Sequence, residues 1–285
     1  NITKITYTRI RLNRVSEINY FWPWKYDVLL LDVEKLFVME QKSVNKTNSN
    51  GYTFMFSVIM VVVVAAVLAF AAISLQPTQM ENVRKEKMQN ILSTVGITTD
   101  RDGAKELYDK YIVEEVAITE DGTVDESIDA FKVDLAKEIK KDVGEQVFPL
   151  YVAEVEGSRY YIVPLRGNGL WNAIFGYISL KDDINTVKGA TFDHLGETPG
   201  LGAEITKQWF KEKFADEKIF DSNGNLVGVS VVKGNIDVSD KEDNQVDAIS
   251  GATITGDGVS DMISERLKRY LPYFEQQKGF KVATR

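Results

Sequence analysis

The order of polar and apolar positions sets one segment of the chain apart from the rest. From Phe54 to Ile73, "FMFSVIMVVVVAAVLAFAAI", 20 consecutive residues carry no charge, and Ser57 is the one strongly polar side chain among them. At 1.5 Å of rise per residue, a helix of that length is about 30 Å long and matches the hydrocarbon core of a bilayer. A buried core helix is rarely so apolar on every face. A signal peptide would have a shorter apolar run and a small-x-small cleavage site, which "SLQPTQ" does not offer. The pattern predicts an uncleaved transmembrane helix over 54–75 with an N-terminal tail, 1–53, before it. Within that tail, "YFWPWKYDVLLLDVEKLFV" is apolar but too short and too charged to span. Residues 1–38 read as an over-extended start, with the mature protein beginning at Met39, or else as a segment lying on the membrane surface.

Beyond Gln76 the pattern changes to that of a folded α+β domain, 76–285. "MENVRKEKMQNILSTVG" has helical spacing and ends at Gly96, a C-cap residue type. "AKELYDKYIVEEV" and "SIDAFKVDLAKEIKKDV" read as two further helices. "SRYYIVPLRG" and "AIFGYISLK" read as strands joined through "NGLWN". "ITKQWFKEKF" reads as an amphipathic helix, and "KIFDSNGNLVGVSVVKG" as a hairpin turning at Asn223-Gly224. The stripe Val259, Met262, Ile263, Arg266, Leu267, Tyr270 and Leu271 predicts a last helix that Pro272 closes. Helices and strands are grouped rather than strictly alternated, which argues against a doubly wound sheet. The fold class expected is therefore α+β: one N-terminal transmembrane helix followed by a soluble domain.

Composition narrows the chemistry. The formal net charge of −8, with no basic stripe interleaved with aromatics, excludes a generic nucleic-acid binder. No cysteine is present, which removes thiolate-held iron–sulfur clusters, cysteine zinc sites, disulfides and thiol nucleophiles. A single histidine, His194, leaves no multi-histidine metal site, so no metal ligands are expected. Neither "RGNG" nor "GLG" makes a dinucleotide fingerprint, and no Walker loop is present. Lysines 42 and 46 before the apolar run and Arg84, Lys85 and Lys87 after it leave the topology open by charge.

Two stretches remain. "DHLGETPGLGAEI", Asp193 to Ile205, combines His194, Glu197 and Thr198 with Gly200, Leu201 and Gly202, and reads equally as a ligand-contacting loop or a structured turn. "DAISGATITGDG", Asp247 to Gly258, sets Ser250, Thr253 and Thr255 among glycines just before the last helix. A Gly-rich turn meeting a helix N-terminus receives a phosphate well. Ordinary capping by Thr255 or Asp257 explains the same residues, and physical chemistry alone leaves both open.

The motif "DAISGAT" resembles the flavinylation pattern D-x-x-[ST]-G-A-[ST]. "PLRGNGLWNAIFGYISL", "HLGETPGLGAEI" and "LQPTQMENVRKEKMQNIL" are similar to stretches of the C-type subunit of the sodium-translocating NADH:quinone reductase (Nqr complex), from about Met39 to the C-terminus. The resemblance implies a one-span member of a six-subunit respiratory complex of the bacterial inner membrane. Its soluble domain would lie in the periplasm and carry covalent FMN, with a binding core over about 150–272. It implies a phosphoester from FMN to Thr253, made by a flavin transferase. Ser250, Gly251 and Ala252 would give access, Asp247 would serve the transferase, and Thr255 would bind phosphate oxygens. Gly169, Leu170 and Trp171, with the loop His194 to Gly202, would wall the flavin ring. The cofactor would relay electrons from NADH towards quinone as sodium is exported. The nearest rival is the G-type subunit of the related Rnf complex. The rival of a different class is a membrane-anchored binding module without redox chemistry.

Overall fold

The computed structural model describes residues 49–278 except 235, 236 and 238. The expectations for the tail fall, up to residue 48, outside the described residues. The chain divides into two compact units between Leu75 and Gln76. Helix α1, Asn50–Thr94, covers the whole apolar run, and its 45 residues contain Pro77 without ending there. It is long and apolar enough to cross a membrane, as the sequence pattern predicts, and fits a single-pass anchor. The separate helix expected from Met80 onward is its continuation. Gly96, at φ +86°, lies just past its end, as the sequence suggests.

The second unit is a five-stranded antiparallel sheet in the order β1-β2-β3-β4-β5. Its strands are β1 (Ile112–Thr119), β2 (Val147–Val155), β3 (Ser158–Asn168), β4 (Ala173–Lys181) and β5 (Val187–His194). Neighbours in sequence are neighbours in space, so every connection is a hairpin or an excursion back to the next strand. Glu156 and Gly157 make the two-residue turn between β2 and β3, both with positive φ (52° and 77°). That matches the twist of the flanking strands.

Alternation of side chains assigns each face to a different helix. Leu150, Val152, Val163 and Leu165 pack in one core with the last helix, α5 (Thr253–Lys278), through its Val259, Met262, Ile263, Leu267 and Tyr270. Tyr151, Ala153 and Ile162 face the other way, onto Met88, Ile91, Leu92 and Val95 of α1 and Tyr108 of α2 (Ala104–Tyr111). The sheet is thus a middle layer between two helical layers.

Several expected elements differ. The helix expected over "AKELYDKYIVEEV" stops at Tyr111, and the β-branched run after it becomes β1, paired with β2. The helix expected over residues 127–143 is broken into a 3-10 turn (Ala130–Lys132), a single turn α3 (Leu135–Glu138) and another 3-10 turn (Val143–Glu145). Asp134 accepts a hydrogen bond from the Ala136 amide and so restarts the helix in mid-pattern. "ITKQWFKEKF" is likewise short turns around α4 (Gln208–Lys211).

The turn at Gly224 forms, but its hairpin is one bridge long, Phe220 to Leu226. Strand β6 (Ser230–Val232) instead pairs in parallel with β7 (Gln245–Asp247). Pro272 does not close α5, which runs on to Lys278. Phe274, beyond the proline, is buried with its ring 5.4 Å from that of Tyr161. That packing outweighs the hydrogen bond that proline removes.

Candidate cofactor site

Strand β7 delivers the chain to the hydroxyl-rich motif. The Ala248 amide donates to the Val232 carbonyl, so the strand pairing continues one residue past Asp247. A turn follows, closed by the Ala252 amide donating to the Ile249 carbonyl (3.1 Å). Gly251, its third residue, has φ +78°, and a Cβ there would lie 2.8 Å from Leu201 Cδ2. Ser250 is exposed and Ala252 buried. Helix α5 then starts at Thr253, earlier than the caps expected at Thr255 or Asp257. The Gly256 amide donates to the Ala252 carbonyl (2.9 Å), which makes Ala252 the helix boundary. Thr253 is therefore an exposed hydroxyl on the first helical residue, where backbone N–H groups lack intrahelical partners.

Thr255 behaves differently. It is 1 % exposed, and its hydroxyl donates to Glu197 Oε2 at 2.7 Å. Thr255, expected from the motif to bind phosphate oxygens, has its hydroxyl turned towards Glu197 and lines the cavity beside Thr253. Glu197, itself 4 % exposed, gathers three segments. Its Oε1 accepts from the Trp171 amide (2.9 Å) and the Asn172 amide (3.4 Å) in the β3–β4 loop. Its own amide donates to His194 Nδ1 at 3.1 Å. Burial pushes the Glu197 carboxyl upward, but the amides of Trp171 and Asn172, the Thr255 hydroxyl and His194 outweigh it and hold it below the usual carboxylate range. Gly202 completes the packing, because a Cβ there would collide with Glu197 Oε2 and lie 2.5 Å from Thr255 Oγ1.

A cavity of about 220 Å³ opens above this junction. Leu170 supplies one wall, and Glu197, Thr198, Leu201 and Gly202 supply a second. Gly251 to Thr255 supply the third. Of the residues singled out from the sequence, these are the ones the fold brings together. Others stand outside its lining. Trp171 is exposed and offers its backbone, not its ring, to Glu197. His194 ends β5 and caps the turn to Glu197 with its ring nitrogen. Gly169 closes the β3–β4 turn through its amide to the Asn172 carbonyl (2.8 Å), and Gly200 is an exposed turn residue at φ +77°. Asp247 is engaged from below: Lys213 Nζ lies 3.2 Å from its Oδ2 and 3.0 Å from its carbonyl oxygen. Ile254 was not among the sequence candidates, yet it lines the cavity and is exposed. The signal available was an apolar residue out of phase with the buried stripe of α5.

Comparison with known proteins gives the class first. Residues 169–268, which contain the whole cavity lining, match the family model described as an FMN-binding domain. The C-type subunit of the Na(+)-translocating NADH-quinone reductase (NqrC) from Pseudomonas aeruginosa is 32 % identical over 236 residues, covering 75 % of this chain and 90 % of that one. Its Haemophilus ducreyi counterpart is 30 % identical, covering 76 % and 89 %. The crystal structure of the corresponding protein from Parabacteroides distasonis superposes with a TM-score of 0.65 at 39 % identity, covering 71 % of this chain and 98 % of that chain. The NqrC structure from Shewanella oneidensis gives 0.60 at 25 % identity, covering 69 % and 98 %. The chain belongs to the NqrC family, the C-type subunits of the Na(+)-translocating NADH-quinone reductase, an oxidoreductase complex, and the Rnf alternative is not favoured.

Proposed function

We propose that this chain carries FMN as a phosphoester on the Thr253 hydroxyl and acts as an electron relay within the reductase. In this reading electrons from NADH pass through it towards quinone while the complex, of six subunits, exports sodium. The soluble domain stands on the periplasmic side, where a flavin transferase attaches the cofactor. The observation that carries the proposal is the exposed Thr253 hydroxyl at the first turn of α5, on the wall of a partly apolar cavity.

The residues present suit the group. The first amides of α5 point along the helix axis towards a phosphate, and the helix dipole favours its charge. Leu170, Leu201 and Ile254 offer apolar surface to a flat ring. The cavity is smaller than the roughly 300–1,000 Å³ typical of a site that engulfs its ligand. It would therefore cover part of the flavin and leave part open, which suits exchange of electrons with neighbours. When bound, the flavin supplies the electron-transfer chemistry, and the protein fixes its position and surroundings. Thr253 provides the ester oxygen and is no catalyst. Gly251 keeps the approach clear. Glu197, ionised and fully engaged by amides and the Thr255 hydroxyl, holds the two loops against α5 and has no free proton to exchange.

Co-expression with a flavin transferase tests the assignment. The expected result is fluorescence in a denaturing gel and an FMN-sized mass increment on the peptide containing Thr253, both lost in Thr253→Val. No increment in the parent chain would reject the covalent reading. Retention in the variant would move the ester elsewhere, Ser250 being the other exposed hydroxyl of the motif.

A further inference from the structure

The second unit contains an open groove of about 980 Å³ whose lining shares no residue with the Thr253 cavity. Pro77, Met80 and Val83 of α1 and Phe131 of the β1–β2 excursion form its apolar surface. Met80 and Val83 are 65 % and 66 % exposed, so this helix face lacks cover. The rim is cationic. Arg84, Lys87, Lys132 and Lys137 line it against the carboxylates of Glu81 and Asp134 alone, a local reversal of sign in a chain of net charge −8. Arg84 Cζ stands 5.8 Å, and Lys87 Nζ 4.4 Å, from the centre of the Phe131 ring, which gathers two cations at one wall.

Lys132 pairs with Asp129 (2.8 Å) and Lys137 with Asp134 (3.7 Å), but the two lysine side chains are 82 % and 81 % exposed. Such surface pairs contribute little and yield readily to a stronger anion. The groove also has a definite position in the sequence. Its first residue, Gln76, follows Ile73, the last residue of the apolar run, by three positions. Short chain reach therefore keeps it near the surface of whatever bilayer holds the anchor.

An apolar floor, a cationic rim and tethering to a bilayer together match an amphiphile with an anionic head. We propose that this groove binds an anionic phospholipid of the host membrane. Its glycerol and upper acyl chain lie on Met80, Val83 and Phe131, and its phosphate meets Arg84, Lys132 and Lys137. The proposal rests on the membrane anchor and not on the flavin assignment, so either can fail without the other.

The test uses the full chain reconstituted in nanodiscs of phosphatidylcholine, with or without phosphatidylglycerol. Hydrogen exchange would be followed over residues 76–87 and 130–137, and retained lipid by native mass spectrometry. The expected result is one retained phosphatidylglycerol and slowed exchange in both segments, dependent on the anionic lipid. Retention should fall about tenfold or more in the Arg84→Glu/Lys132→Glu/Lys137→Glu variant. If reversal of three charges unfolds the domain, Lys132→Gln/Lys137→Gln reads the same loss more gently. Equal retention of phosphatidylcholine, undiminished phosphatidylglycerol in the variants, or protection produced by inorganic phosphate alone would overturn the proposal. So would protection that appears in phosphatidylcholine only when partner subunits are added, since the occupant would then be protein.

Discussion

Glu197 shows how much of the site depends on one side chain. Its carboxylate accepts from two amides of the β3–β4 loop and from Thr255 on α5, and it is almost fully buried. Removing it leaves the buried Thr255 hydroxyl without a partner and releases two amides of an exposed loop, and an orphaned buried donor costs about 1–3 kcal/mol. Glu197→Ala should therefore destabilise the fold by about 1–3 kcal/mol, lowering the thermal midpoint by roughly 2–12 °C for a domain of this size. Glu197→Gln keeps an oxygen for the two amides and should lose about half as much. The folded carboxyl sits below its ordinary value, so the stabilisation is present at neutral pH and is lost as pH falls through the folded value. Thermal scans of the three proteins between pH 3 and 7 check this. An alanine variant that melts with the parent would show the contact to be inconsequential.

At the scale of elements, the junction of α1 with the β1–β2 excursion carries a pH signature. Lys87 Nζ donates to the Phe131 carbonyl at 2.5 Å. Burial lowers its pKa from 10.5 to about 8, against the upward pull of Glu115, Asp129 and Asp134. Below pH 8 the lysine is charged in both folded and unfolded chains. Between about 8 and 10.5 the folded state has released the proton while the unfolded chain still holds it, so stability rises with pH. The thermal midpoint of the full chain, measured relative to Lys87→Met so that other groups cancel, should climb across that window. A constant difference would show that the lysine stays charged in the fold.

The same junction explains what was and was not legible in the sequence. Strands β3 and β4 and the loop between them could be read because their ends are marked by glycine. Strand β2 could not: "VFPLYVAEV" is covered by α5 on one face and by α1 on the other, so it is apolar without alternation. Strand β1 begins with the half-charged "IVEEV" and continues a helical pattern in register, and only its pairing with β2 decides it. In the candidate site, Thr253, Gly251 and the loop ending at Gly202, which line one cavity, were legible as motifs. The inward turn of Thr255 was not, because it depends on a carboxylate 58 residues away in sequence.

For the molecule as a whole, two parts of opposite character are joined in one chain of net charge −8: a domain that matches the FMN-binding family and an uncharged helix that fits a membrane anchor. The Phe54–Ile73 run has no charge, and among the described residues α1 is the one helix long and apolar enough to span. If that run is what holds the chain in the membrane, charges at its centre should release it. Arginine at the middle of a spanning helix costs about 2.5–3.5 kcal/mol by insertion measurements. Val63→Arg with Ala66→Arg therefore costs about 5–7 kcal/mol, enough to shift the partition by roughly four powers of ten. Expressed without partner subunits, the parent chain should remain in the pellet after alkaline carbonate extraction, and the doubly substituted chain should move to the supernatant. The Thr253 cavity is lined wholly by residues of the second unit, so the released chain should keep the domain's thermal midpoint. A substituted chain that stayed in the pellet, folded and unaggregated, would assign membrane attachment to a segment other than Phe54–Ile73.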